Sequence, residues 1–494
     1  MKKSVGIATG VVVIAVAGWL GTTWYTGKRI EAEEPAKLAE LNEQLATSLV
    51  NTGIRFTASR ASYERHFFST DAHYNITLAL AGDTEPDDVT IDVAVKIEHG
   101  PFAKSALASG NFMPNMAFVH AELAPNKFSQ PLFDLTKGVP AISSNTLFSY
   151  SGNNNSTVNV IPFELAEDGD VVKFGGLELK GTYKKDNKQT IASGTMGDIT
   201  VDVTDDGQHV KATISGTSMD LDSTIGKFGF GLGTSKVNVG HILLDVQPVE
   251  GESPEVVKKV ELKDFAYNTL VAEEGDNARV EAKYSLGQLL INDASFGKGH
   301  ATIKLDNLDG QAIQTLLKFY NDALKEMTTG GKSPTSGAVA MDLLNQALKM
   351  LAANPSMRID PLVWETPKGQ STLDLNIGLT KPKSLNVGLQ QLENGDPKAL
   401  LMEALKLIDL NVKLSTPMVE ELITLAMQME GMDAAQAASE AAEQASMMSS
   451  MAEMFGVAKL NGDNLESNFH YADGVMTLNG QEVPPEMLFG ALGQ

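Results

Sequence analysis

The sequence predicts an α+β protein in which one N-terminal transmembrane helix precedes a large body built on a mostly antiparallel, curved β-sheet. Three observations lead to this fold class: an uncharged run near the N-terminus, a long region of alternating apolar and polar residues, and a C-terminal region where helical periodicity returns twice. The chain has 494 residues, of which 43% are hydrophobic, so it contains enough apolar material for a folded body.

The first element is the uncharged run from Val5 to Tyr25, which is long enough to cross a hydrocarbon layer about 30 Å thick as a helix. Trp24 and Tyr25 lie at its far end, where interfacial aromatic residues are common. We predict a cytoplasmic N-terminus at residues 1–4, an anchor in the cell inner membrane at 5–25, and the remaining chain in the periplasm. The alternative is a signal peptide cleaved at Ala15-Val16-Ala17, but the apolar run continues past this site, which favours retention.

Residues 26–52 are predicted to form an amphipathic spacer helix. Its apolar stripe consists of Leu38, Leu41, Leu45 and Leu49, which recur at spacings of three and four. The stripe itself runs from Glu34 to Leu49, so Pro35 lies at its start, in the position of a first turn, where proline is tolerated. The stripe is typical of packing against the chain's own body, and the alternative is self-association with a second copy of the chain.

Residues 53–300 are predicted to form a β-rich domain. Strand-like alternation occurs in several segments, among them residues 74–80, 89–97, 177–183 and 199–203. Asp168-Gly169-Asp170 and Asp205-Asp206-Gly207 are typical of hairpin turns between such strands. Because no helical period of about ten residues separates these strands, the pattern favours an antiparallel meander over a doubly wound parallel sheet.

Residues 301–494 are predicted to contain an internal repeat with the order strand, helix, helix, strand, strand. In the first copy these elements are predicted at 301–305, 311–327, 341–353, 357–364 and 371–379. In the second copy they are predicted at 410–414, 418–429, 434–455, 464–471 and 475–480. Two copies are too few for a free-standing solenoid, so we expect this region to continue the sheet of the preceding domain.

The composition excludes several kinds of function. A net charge of -23 opposes nucleic-acid binding, and the absence of cysteine excludes thiol nucleophiles, thiolate zinc sites and iron–sulfur clusters. The eight histidines include no pair at the spacing that binds a metal from one helix face, and no nucleophile elbow of the Gly-x-Ser-x-Gly type occurs. We therefore predict no catalytic residue, no cofactor and no metal site, and expect that the protein is not an enzyme.

Methionine is concentrated near the C-terminus, where 11 of the 20 fall between Met402 and Met487. Met447, Met448, Met451 and Met454 recur at helical spacing in the last predicted helix. Such a stripe is usually part of a helical core. The alternative is an adaptable surface for an apolar ligand or partner, a use for which methionine is well suited.

Several short segments resemble the YdgA family of bacterial inner-membrane-anchored proteins. They are residues 24–31, 63–70, 99–102, 131–138, 148–152, 471–474 and 478–481. The resemblance implies a gammaproteobacterial inner-membrane protein that faces the periplasm, forms a homodimer and has no characterised biochemical function. It supplies no catalytic residues for this chain.

These observations favour a non-enzymatic envelope protein that acts through protein interaction or scaffolding. Its expected partners are the inner membrane, a second copy of the chain and another envelope protein. The alternative is binding or transfer of a lipid or other apolar ligand along a groove of the curved sheet, which would draw on the methionine-rich helices. A hydrolase is the least favoured hypothesis, because the sequence shows no plausible set of catalytic residues.

Overall fold

The computed structural model describes residues 2–48, 54–80, 89–205, 208–248, 258–328, 337–383, 403–472 and 474–484. Within these ranges, the side chains at 2–19, 44–48, 54–55, 79–80, 205, 248, 321–328 and 337–340 are not described. The chain divides into two compact units. Unit 1 comprises Met1–Leu165, Phe174–Gly197 and Leu317–Thr335, and unit 2 comprises Ala166–Lys173, Asp198–Leu316 and Ser336–Gln494.

Unit 1 begins with a single long helix, α1 (Lys2–Ser48). The sequence predicts a helix start next to Pro35, but this proline lies inside α1. A proline in a helix interior costs about 3 kcal/mol because it removes one backbone hydrogen bond and crowds the preceding turn. Contacts between α1 and the strands of unit 1, on both sides of Pro35, offset this cost and keep the helix continuous.

The predicted anchor at 5–25 falls within α1, although its side chains up to residue 19 are outside the described part of the structure. No helix among the described residues combines the length and the apolar character that crossing a membrane requires. Membrane anchoring therefore remains a prediction.

The strands of unit 1 form an antiparallel sheet in the order β1–β2–β3–β4–β5–β6–β9–β10. They are β1 (Ile54–Arg65), β2 (Ser69–Leu80), β3 (Val89–His99), β4 (Ala117–Ala124), β5 (Ile142–Phe148), β6 (Asn154–Val160), β9 (Leu177–Lys184) and β10 (Gln189–Met196). The short strands β7 (Phe163–Glu167) and β8 (Asp170–Phe174) lie between β6 and β9 in sequence. Asp168 and Gly169 both have positive φ, as the predicted hairpin turn requires.

Two short helices lie in the connections of this sheet, α2 (Lys104–Ala108) after β3 and α3 (Gln130–Leu135) after β4. Phe133 on α3 is buried with Leu123 and Ala141, and Ile91, Leu132 and Ile161 pack around them. This cluster covers one end of the meander. Burying a side chain such as Phe133 contributes about 1.5–3 kcal/mol.

Unit 2 contains an antiparallel series in the order β11–β12–β14–β15–β16–β17–β18–β19–β20–β22–β23–β24. The strands are β11 (Ile199–Asp205), β12 (Gln208–Ser215), β13 (Thr217–Ile225), β14 (Gly231–Pro248), β15 (Lys259–Glu274), β16 (Asn277–Ile291), β17 (Ala294–Asp309), β18 (Ser356–Thr366), β19 (Gly369–Leu379), β20 (Leu405–Ser415), β21 (Lys459–Asn461), β22 (Asn464–Ala472), β23 (Val475–Leu478) and β24 (Gln481–Glu482). β14 is long enough to pair with β13 along its first half and with β12 along its second half.

Four helices follow the order that the internal repeat predicts. α4 (Gly310–Thr328) and α5 (Gly337–Ala352) lie between β17 and β18, whereas α6 (Thr416–Met429) and α7 (Ala434–Met454) lie between β20 and β22. In both copies the strand before the helices pairs with a strand after them, which then pairs with the next strand. The predicted β-rich, mostly antiparallel α+β architecture is thus confirmed.

Candidate functional site

The first candidate site is the face of α1 that lies against the sheet of unit 1. Thr23 and Thr26 are buried on this face, and the Thr26 hydroxyl lies 3.3 Å from the hydroxyl of Tyr150. Gly27 packs directly on the ring of His99, where an added Cβ would lie 2.4 Å from Cε1. Small residues at these positions let the helix backbone approach the end of β3 closely. This approach would be lost with almost any larger side chain at Gly27.

His99 is fixed in its position by hydrogen bonds at both ring nitrogens. Its Nδ1 lies 3.3 Å from the carbonyl oxygen of Phe67, and its Nε2 lies 2.9 Å from the hydroxyl of Thr70. Because a carbonyl only accepts, Nδ1 carries the proton, and in the neutral ring Nε2 accepts from Thr70. Burial lowers the pKa of His99 below 6.5, which keeps the ring neutral. With both nitrogens engaged, His99 serves as a packing platform for α1.

A row of polar contacts continues along α1 beyond Gly27. Arg65 donates to Glu31 at 2.8 Å, and Arg60 donates to Glu34 at 3.0 Å. The Tyr74 hydroxyl also donates to Glu34, at 3.1 Å, and burial beside this carboxylate raises the pKa of Tyr74. The Glu34 side chain is the best-buried member of these ion pairs, with 10% exposure. The contacts fix the rotation of α1 about its own axis.

Asn42 attaches the far part of α1 to the first strand of the sheet. Its side-chain amide donates to the Ala58 carbonyl at 2.8 Å and accepts from the Ala58 amide at 2.7 Å. Ala58 belongs to β1, and Asn42 satisfies both backbone groups of this residue. An unpaired strand edge is a template for unwanted pairing, so this contact also protects β1.

The predicted leucine stripe falls on the same part of α1. Leu38, which lies between Glu34 and Asn42 on the docked face, is half-buried, whereas Leu41 is exposed. The side chains of Leu45 and Leu49 lie outside the described residues. Self-association through this stripe stays a prediction.

The second candidate site is the outer face of α7. Ala437, Ala441, Ala445 and Ser449 recur every four residues and are buried, and α7 packs against α6. The methionines at 447, 451 and 454 point away from this stripe and are exposed, and Met448 is half-buried at the side. Three of the four methionines therefore lie outside the core that a stripe at this spacing usually forms.

Exposed apolar residues continue directly beyond the end of α7. We define the methionine surface as the set of Met447, Met451, Met454, Phe455, Val457 and Leu460. Met454 and Phe455 are 73% and 66% exposed. Exposed contiguous apolar surface of this kind often marks a binding site for another molecule.

The described parts of the chain also contain depressions and histidine–carboxylate pairs. A depression of about 810 Å³ lies beside α3 and is lined by His73, Glu122 and Asp134 among others. His241 and Glu261 on neighbouring strands bind each other at 2.7 Å, and His120 lies 3.1 Å from Glu122. Within the described residues no group of three His, Asp or Glu side chains is arranged to hold a metal ion.

No pattern in the sequence marks the residues that hold α1 to the sheet. His99 gave no sign of its partners, because Phe67 and Thr70 are about thirty residues away and contribute a carbonyl and a hydroxyl. The segments that carry the family resemblance do indicate this site. Four of these segments, at 24–31, 63–70, 99–102 and 148–152, meet around Gly27 and His99.

Comparison with known proteins gives matches over nearly the whole chain. The model of a bacterial protein family of unknown function, DUF945, matches residues 1–486. The chain is 26% identical to Protein YdgA of Escherichia coli K12 over 99% of its own length and 96% of that protein. It is 24% identical to the uncharacterised protein YihF of the same organism, over 99% of this chain and 98% of the relative. No solved structure matches.

Proposed function

The chain belongs to the DUF945 family, whose function is unknown, and we propose that it is a membrane-anchored envelope protein that acts by binding other proteins. In this proposal residues 5–25 are retained in the inner membrane and the two units face the periplasm. The protein is not a catalyst but a scaffold, and a second copy of the chain is one of its partners.

The observation that carries the binding role is the methionine surface on α7. Met447, Met451 and Met454 lie opposite the buried alanine stripe, so packing within the helix pair does not require them. Methionine side chains are flexible and polarizable, which suits surfaces that bind varied apolar partners. Earlier turns of the same helix carry Gln436 and Glu443 instead, so the methionine surface is confined to the end of α7 and the residues that follow it.

Photo-crosslinking in cells tests this role. A photoreactive amino acid replaces Met451 in the full-length chain, and a matched variant carries it at Gln436, about four turns earlier on the same helix. We expect a discrete protein adduct at 451 and none at 436, identified by mass spectrometry. An adduct of twice the chain mass would identify a second copy as the partner. Lipid adducts at 451 would support the lipid-carrier alternative instead, and equal labelling at both positions would rule out binding through this surface.

The anchoring role is supported by the uncharged run at 5–25 and by the continuity of α1. A tag placed before residue 2 tests retention, because a cleaved signal peptide would remove it from the mature protein. We expect the tag to remain on full-length protein in the membrane fraction. We also expect externally added protease to digest the two units only after the outer membrane is opened.

A further inference from the structure

One end of the unit 1 sheet carries a set of exposed apolar side chains. We define the apolar rim as the exposed members of this set, which are Phe67, Phe68, Phe102, Leu107, Phe112, Met113 and Tyr150. Phe112 and Met113 are each 74% exposed, more than any other large apolar side chain among the described residues. Phe67 and Phe68 contact each other edge to face at 4.8 Å.

The topology places these residues at one end of the sheet. Strands β1 to β6 pair antiparallel in sequence order, so the connections β1–β2, β3–β4 and β5–β6 all lie at the same end. These three connections contain the apolar rim. Backbone hydrogen bonds join neighbouring connections, since the His99 amide donates to the carbonyl of Phe68 and the Met116 amide donates to the carbonyl of Phe148.

Helix α1 enters unit 1 at this same end. Gly27 contacts His99 at the end of β3, and Thr26 reaches Tyr150 in the rim itself. Asn42 lies farther along, against Ala58 on β1, so α1 runs away from the rim as the residue number increases. Trp24 and Tyr25, exposed on the last turns before this contact, are therefore next to the rim. The apolar run at 5–25 precedes the rim in the direction of the helix N-terminus.

The charge distribution of the rim differs from that of the chain. The net charge of the chain is -23, yet residues 100–116 contain Lys104 as their single charged residue, and residues 138–163 contain no charged residue. Lys28 adds a cation next to the rim, with Nζ 5.5 Å from the centre of the Trp24 ring. At the β1–β2 connection, Glu64 and Asp71 flank Phe67 and Phe68, and Asp71 lies 3.1 Å from His66. Aromatic side chains with a few cations and long uncharged stretches match the chemistry of the headgroup region of an anionic bilayer.

We propose that the apolar rim inserts into the headgroup region of the same bilayer that α1 enters, so that this end of the unit 1 sheet contacts the membrane surface. The proposal rests on the proposed anchoring of residues 5–25 and adds a second, peripheral contact with lipid. Its partner is a phospholipid surface. Two contacts, an anchor and a rim, would hold unit 1 at a fixed height and tilt, which a single helix does not do.

Single-cysteine labelling tests the proposal cleanly, because the natural chain has no cysteine. The full-length protein is reconstituted in nanodiscs of phosphatidylethanolamine and phosphatidylglycerol, and an environment-sensitive fluorophore is attached at one position at a time. Phe112→Cys and Phe68→Cys report on the rim. Val139→Cys is the matched control, since Val139 is apolar and exposed but lies in the β4–β5 connection at the opposite end of the sheet. Val12→Cys reports on the anchor.

Nanodiscs that contain lipids with a nitroxide near the headgroup, or deep in the acyl chain, serve as quenchers. We expect loss of most fluorescence at 68 and 112 with the shallow quencher, loss at 12 with the deep quencher, and no loss at 139. Quenching at 12 without quenching at 68 and 112 would overturn the rim contact and leave the anchor intact. The absence of quenching at 12 would instead overturn the anchoring itself.

Discussion

At the scale of single residues, the strongest prediction concerns a substitution at Gly27. Alanine at this position would place Cβ 2.4 Å from the His99 ring, and the ring is held by Thr70 and Phe67, so it cannot move aside without losing hydrogen bonds. Overpacking of this kind costs about 1–3 kcal/mol. We expect Gly27→Ala to lower the opening free energy of residues 23–42 by this amount, as measured by hydrogen exchange of the protein in detergent micelles.

Gly21 provides the matched control for this substitution. It lies in the same helix, and an added Cβ there would meet no atom within 4 Å. Alanine has the higher helix propensity, so we expect Gly21→Ala to be neutral or slightly stabilising. If both substitutions had the same effect on exchange, close contact at Gly27 would not be the reason for the docking of α1.

The buried ring of His99 predicts a pH dependence of stability. Burial lowers its pKa below 6.5 in the folded protein, with smaller contributions from Arg65 and His66, so the unfolded chain binds a proton more tightly. The contribution of this histidine is therefore present above about pH 6.5 and decreases as the pH falls through the folded-state pKa. We measure the urea midpoint of unfolding as a function of pH, from about pH 5 to about pH 8, for wild type and His99→Gln. The slope of the midpoint against pH should differ between the two proteins in this window.

At the scale of elements, the packing of α7 on α6 depends on small side chains. Ala441 is fully buried in the alanine stripe of α7, whereas its neighbour Ala442 is exposed. We expect Ala441→Leu to destabilise the helix pair by about 1–3 kcal/mol through overpacking, and Ala442→Leu to change it by less than about 0.5 kcal/mol. Hydrogen exchange of α6 and α7 in the full chain measures both. Equal effects of the two variants would contradict the assignment of the buried face.

The internal repeat could be predicted because local signals determine it. The alternation in β17 and β20 and the helical spacing in α4 to α7 are visible within each segment, and caps such as Ser415 and Asp433 mark where helices begin. The continuity of α1 through Pro35 could not be predicted in this way. Its cause is a set of contacts from Arg60, Arg65 and Ala58, which are distant in sequence and outweigh a local preference.

The same distinction applies to the candidate sites. Met447 and Met451 were identified from composition and spacing, but the sequence favoured a core, and only the burial of the alanine stripe on the opposite side indicates that they face outward. The apolar rim was not identified at all. Its members come from three connections that adjoin only after the strands have paired, so no window of sequence contains the pattern.

At the scale of the whole molecule, the predicted anchor and the helix docked on unit 1 are one continuous element, and truncation separates their roles. With a cleavable export signal in front, a chain that begins at Thr22 keeps the contacts of Gly27, Glu31, Glu34 and Asn42 with the sheet, whereas a chain that begins at Glu43 lacks these four residues. The exposed ion pairs contribute about 0–1 kcal/mol each, so the larger losses are the packing at Gly27 and the exposure of the Ala58 edge.

We therefore expect the chain that begins at Thr22 to resist limited proteolysis of residues 54–124 as well as the full-length protein does. The chain that begins at Glu43 should be cleaved faster in this range and should form larger species in light scattering, because β1 then presents unpaired backbone groups. Equal resistance of the two truncated chains would mean that unit 1 is stable without α1. In that case α1 could not transmit a fixed orientation from the membrane to unit 1, and the helix would serve as a tether alone.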